Sequence, residues 1–118
     1  MHIESFRNYC IAKPGVTEEF PFNETALVFK VMGKMFAPID VDSFDTIALK
    51  CDPGRALELR ERYAGITTAY HFNKKHWNGV TTDGSVPDAL MYELIDHSYE
   101  LVVSGLPGKL KEELEKLG

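Results

Sequence analysis

The chain has little that would commit it to a membrane, a metal or a known catalytic loop. No run of about 18 apolar residues occurs, so no stretch reads as a membrane-spanning helix. Cysteine is scarce: Cys10 and Cys51 stand far apart, with no CxxC and no cysteine–histidine ladder, which leaves no basis for a zinc knuckle or a vicinal redox pair. Positive charge is also short. Thirteen Lys and Arg against 18 Asp and Glu give a net charge of -5 and a pI near 5.3. A protein that holds nucleic acid over its whole surface needs the opposite balance, so any phosphate-binding role has to rest on a local basic face. GxGxxG, GxxxxGK[ST], GxSxG and HExxH are absent, as are repeats and low-complexity tracts. The first residues, Met1 to Arg7, are charged and amphipathic, with no apolar run behind them. The expectation is a cytoplasmic chain without a membrane segment, its cysteines reduced.

What is present is ordinary for a compact domain: 118 residues, 44% hydrophobic and 26% charged. That length supports one core, not two. Residues 3–12 place Ile3, Phe6, Tyr9, Cys10 and the following Ile11 at a helical spacing that lays one side on a core, and Lys13-Pro14-Gly15 ends the run. Residues 17–22 read as a loop in which Phe20 and Phe22 plug the core edge or wall a pocket. Residues 25–31 and 35–41 are β-rich runs around the tight turn Met32-Gly33-Lys34, and residues 46–51 follow the acidic turn Asp42-Ser43-Phe44-Asp45. The three make an antiparallel meander.

Asp52-Pro53 caps and opens a helix to about residue 64, with Ala56, Leu59 and Tyr63 inward and a Glu58–Arg62 pair outward; Gly65 stops it. Residues 67–72 and 77–82 read as two further strands joined through Asn73-Lys74-Lys75-His76. Pro87 opens a long helix to about residue 104, whose Leu90, Met91, Leu94, Ile95, Leu101 and Val102 cover the sheet. A leucine stripe, Leu106, Leu110, Leu114 and Leu117, marks a last helix that seals the core, with Glu112 and Lys116 spaced for a surface pair. The fold class is α+β: an antiparallel sheet of about five strands packed by helices, one domain over residues 1–118.

The stretch from Tyr70 to Val80 concentrates the chemistry. It holds the only tryptophan, Trp77, with His71, His76 and a Lys-Lys pair. Aromatics among cations can stack on bases or another planar ligand while lysines neutralise phosphate. The same aromatics equally suit core positions at the ends of two paired strands, around a solvated turn. Lys30 and Lys34 flank the first hairpin and Lys74 and Lys75 the second, so two hairpins projecting from one sheet edge would form a cationic rim on an acidic protein. A metal site shared by His71 and His76, or a thiol nucleophile at Cys10, lacks the spacing and partners such sites need. No enzyme and no cofactor is expected.

Tyr9-Cys10-Ile11-Ala12-Lys13-Pro14-Gly15, Leu49-Lys50-Cys51-Asp52-Pro53, the central Tyr70 to Trp77 segment, Asp83-Gly84-Ser85-Val86-Pro87-Asp88 and Ile95-Asp96-His97-Ser98-Tyr99 together resemble the MmcQ/YjbR family of small bacterial proteins, over nearly the whole chain. The resemblance implies an α+β domain with a double-wing arrangement whose projecting hairpins contact DNA. The nucleic-acid-binding residues it and the charge pattern nominate are Lys34, Asn73, Lys74, Lys75, His76 and Trp77, gripping DNA weakly and salt-sensitively. The alternative is a protein-interaction or small-ligand module with a pocket built by Phe20, Phe22, His71 and Trp77.

Overall fold

In the computed structural model, which describes all 118 residues, six antiparallel strands form one sheet with helices on a single face. The elements are α1 (Ile3–Ile11), β1 (Val16–Glu19), β2 (Ala26–Val31), β3 (Lys34–Asp40), β4 (Thr46–Lys50), α2 (Pro53–Arg62), β5 (Ile66–Thr68), β6 (Trp77–Thr81), α3 (Asp88–Ser104) and α4 (Gly108–Leu117). The strand order is β1-β2-β3-β4-β6-β5. The α+β class and the meander β2-β3-β4 agree with the sequence reading. A sixth strand does not: residues 16–19, the last three of which fall in the expected loop 17–22, pair with β2 from Val16↔Val31 to Glu19↔Val28. Four residues with two glutamates make a weak strand signal, and only the partner supplies the register. Short and charged, β1 is a guarded sheet edge.

Strand alternation divides the residues between two faces. Leu27, Phe29, Ile39, Ile47, Leu49, Ile66 and Val80 turn towards the helices and join a core of 22 buried residues with Phe6, Ala56, Met91 and Ile95. Phe6 on α1 meets Phe29 edge-on at 5.5 Å. The β2–β3 turn takes positive φ at Met32 (48°) and Gly33 (83°), the primed geometry that two-residue hairpins prefer. Asp52 caps α2 by accepting the Arg55 amide at 3.1 Å. On α3, Ser98 is as buried as its apolar neighbours; its hydroxyl donates to the Phe36 carbonyl at 2.6 Å and accepts the Lys50 amide at 2.9 Å, fastening the helix to β3 and β4.

Four further expectations are corrected. Phe20 and Phe22 do not plug the core edge: they are 52% and 80% exposed. The strand read over residues 67–72 stops at Thr68, because the chain turns with the Phe72 amide bonded to the Ala69 carbonyl and His71 at φ 69°. Tyr70 is consequently not a core residue but 85% exposed. Neither Glu58–Arg62 nor Glu112–Lys116 closes as an ion pair; Arg55 reaches Glu93 at 3.1 Å instead. Finally, Leu106 and Leu114 of the leucine stripe are buried while Leu117 is exposed. No helix is long and apolar enough to cross a membrane.

Candidate functional site: the open face of the sheet

The face turned away from the helices is built by small side chains. Along one cross-strand row, Val28 pairs with Pro38, Ala48 with Gly79 and Gly79 with Thr67; the Ile39↔Ile47 register sets Pro38 beside Ala48. Five strands therefore contribute a valine, a proline, an alanine, a glycine and a threonine at one level. The result is a trough of about 820 Å³ across the sheet, within the range of small-ligand sites. Gly79 keeps it deep: a Cβ there would stand 3.2 Å from Thr46 and 3.3 Å from the Thr68 carbonyl. Val28 and Ala69 are buried but lie outside the core cluster, so the trough has its own small apolar floor.

Two connections wall it. From one side Phe22 stands over the floor, and from the other come Tyr70, His71 and Phe72. Tyr70 and His71 pack ring to ring at 4.0 Å, while Phe72 stacks on Trp77 at 4.9 Å. His71 holds a left-handed backbone with an exposed side chain, a strained conformation that no core packing of its own repays. Phe22 and His71 of the expected pocket line the trough; Phe20 does not, and Trp77 supports it from behind Phe72.

The antiparallel order fixes which connections share an end of the sheet. The β2–β3 turn and the residue 69–76 loop fall at one end, with the β4 terminus between them, and the β1–β2 loop and β3–β4 turn at the other. Lys34, Lys74 and Lys75 thus gather at the same end as the sequence reading requires, β3 and β6 being two strand spacings apart, about 10 Å. Lys50 joins them at this end from the open face, paired across from Trp77, whereas Lys34, paired with the core residue Val31, stands on the helix side of the sheet. Lys50 was missed because a lone lysine closing a strand carries no signal until its neighbours are known. Lys30 is drawn off by Glu19 at 3.4 Å, whereas Lys34, Lys50, Lys74 and Lys75 enter none of the five ion pairs.

The remaining nominated residues have different work. Asn73 organises its loop: its side-chain oxygen accepts the Lys75 amide at 2.9 Å and its carbonyl accepts those of His76 and Trp77. Trp77 is half-buried and His76 exposed, with the His76 carbonyl taking the Cys51 amide at 2.8 Å. Arg60 on α2 clamps the loop from the helix side through the Lys74 carbonyl at 3.1 Å.

At the far end of the trough stand Asp40 and Asp45, its only carboxylates; no lysine or arginine lines it. The sheet is therefore polarised along its strands, with the lysines gathered at the loop end and the trough's carboxylates at the other. No three metal-ligating side chains converge anywhere. Cys10 is fully buried, and burial pushes its thiol up to about 12, which removes it as a nucleophile near neutral pH. A second polar cluster lies under α1 and α3, where Tyr9 donates to Asp96 at 2.8 Å and Lys13 pairs with the same carboxylate. Burial, then that hydrogen bond, pushes the Tyr9 hydroxyl up to about 12. Tyr99 closes it by donating to the Pro14 carbonyl at 2.7 Å. These partners tie the two helices together and face away from the trough.

A family model described as YjbR matches residues 11–101. The uncharacterized protein YjbR of Escherichia coli K12 is 35% identical over 118 residues, covering 99% of this chain and all of that one. The uncharacterized protein YbdF of Escherichia coli O157:H7 is 36% identical over 104 residues, 87% of this chain and 85% of that one. Among solved structures, Deinococcus radiodurans protein DR2400 superposes with a TM-score of 0.88 at 40% identity, covering 96% of this chain and 87% of that one. A protein from Pseudomonas syringae gives 0.73 at 28% identity over 86% of this chain and 98% of its own.

Proposed function

This chain belongs to the YjbR family, and we propose that it is a nucleic-acid-binding module that contacts phosphate through the cationic end of its sheet, with little sequence specificity. The observation that carries the reading is the gathering of Lys34, Lys50, Lys74 and Lys75, none with a carboxylate partner, at one end of an otherwise acidic protein. Lysines without ion-pair partners can release counterions from a phosphate backbone without first breaking ion pairs of their own. Lys34 and Lys50 stand at strand ends and Lys74 and Lys75 in a loop, so the cations are not carried by a recognition helix, and contacts to backbone rather than to base edges are the consequence. Trp77 is half-buried against Phe72, whereas Tyr70, although it packs one side on His71, is 85% exposed and is the more accessible ring for stacking on a base. The reading is of a binding module, not an enzyme, in a reducing cytoplasm that suits its two buried, unbridged cysteines.

The test is fluorescence anisotropy of labelled single- and double-stranded DNA at low and at physiological salt. Micromolar binding that falls steeply with salt is expected; no binding at low salt sinks the proposal. The second reading, a small-ligand or protein-interaction module, is favoured by the aromatic-walled trough itself.

A further inference from the structure

The trough carries an inference of its own, because its charge is opposite to that of the lysine end. Its carboxylates are Asp40 and Asp45 at one end, with the His71 imidazole at the other, and its walls are aromatic. Asp40 is held in place by its own turn: one carboxylate oxygen accepts the Asp42 amide at 2.9 Å and the Ser43 amide at 3.3 Å. Neither acid has a cationic partner, and Phe22, from the loop entering β2 beside Asp40 across the Ala26↔Asp40 pair, offers an exposed ring face. Two carboxylates, that of Asp40 held by its turn, beside an aromatic face and over a flat apolar floor are complementary to a cation on a planar body and repel phosphate or carboxylate.

We infer that the acidic end of the trough binds a small organic ammonium ion, its charged head between Asp40 and Asp45 against Phe22 and its apolar body on the floor of Ala48 and Gly79 towards Tyr70. This site is independent of the phosphate-gripping lysines and would stand if they bound nothing. The strain at His71 and the exposure of Tyr70 fit a wall held ready for such a body.

Three probes of one shape separate charge from shape: phenethylammonium, phenethyl alcohol and hydrocinnamate, each titrated against the isotope-labelled protein by amide chemical-shift mapping. Phenethylammonium should saturate below about 1 mM with shifts centred on Thr46, Gly79 and Tyr70, the alcohol at least about tenfold weaker, and hydrocinnamate not at all. In the Asp40→Asn, Asp45→Asn double variant the ammonium should weaken about tenfold to match the alcohol, the amides of the turn being still acceptable to an asparagine. Asp45→Asn alone should give an intermediate loss, and Ala48→Phe should abolish binding of both by filling the floor. Equal affinities for ammonium and alcohol, ammonium binding that survives the double variant in a folded protein, or no saturation by ammonium would each overturn the inference.

Discussion

Arg60 on α2 donates to the side-chain oxygen of Asn78 on β6 across 2.7 Å, and the same guanidinium nitrogen reaches the Lys74 carbonyl. One arginine thus joins a helix, a buried sheet position and the lysine loop. Asn78 is 2% exposed and spends its amide on the Ala56 carbonyl at 3.3 Å. Replacing Asn78 with Ala takes the side-chain acceptor from the guanidinium, leaving it the Lys74 carbonyl, and takes a donor from the Ala56 carbonyl. A loss of about 2–3 kcal/mol is expected in urea unfolding, with faster hydrogen exchange over residues 73–77 as the signature of a loosened loop.

Ser98 is the corresponding fastener for α3. Ser98→Ala leaves the Lys50 amide and the Phe36 carbonyl short of a partner in the core. Stability should fall by about 1–3 kcal/mol, read from the urea midpoint, and Ser98→Cys should recover less than the wild type because the thiol is a weaker donor.

Reversing Lys74 and Lys75 to Glu tests the phosphate grip without touching the core, since both side chains are exposed. The slope of log K against log salt for DNA should become shallower by about 2. An unchanged slope and affinity would take this loop out of any nucleic-acid interface.

His97 gives the protein an acid-sensitive joint. Its Nε2 accepts the Asp52 amide at 3.1 Å, and burial, then the nearby Arg55 charge, holds its pKa below the ordinary histidine value. The unfolded chain therefore takes up a proton before the folded one does. Stability from this group is complete above the ordinary value near 6.5 and is lost as pH falls from there through the lower folded value. The melting temperature should drop on acidification from about pH 7 to pH 5, and His97→Gln, which can still accept the amide, should flatten that part of the profile.

Both thiols should be silent in the folded protein. Burial raises Cys10 to about 12 and raises Cys51 as well. Ellman's reagent should release thiolate only as the chain unfolds; rapid labelling of native protein would show that the core opens locally.

Much of this architecture is determined by the sequence alone, because the information is local. Apolar spacing along α1 and α3, the Asp52-Pro53 helix start and the Met32-Gly33 turn each draw on residues within a few positions of one another, so periodicity and backbone preference are enough to place them. The lysines of the two hairpins are equally visible, and their meeting at one sheet end follows once the strands alternate in direction.

The rest waits on pairing. Residues 16–19 become a strand only because β2 offers an edge, and residues 69–72, β-like in composition, are pulled out of the sheet by a left-handed His71. The trough is the clearest case. Val28, Pro38, Ala48, Gly79 and Thr67 are scattered over 52 positions of the chain (79 less 28, plus one), and none is remarkable by itself. Only the inter-strand register sets them in one row, and only the loop geometry stands Phe22 and Tyr70 on its rims. Side-chain identity is written locally, whereas a binding surface is a property of which strands lie side by side, and long-range packing of the sheet against its helices decides that.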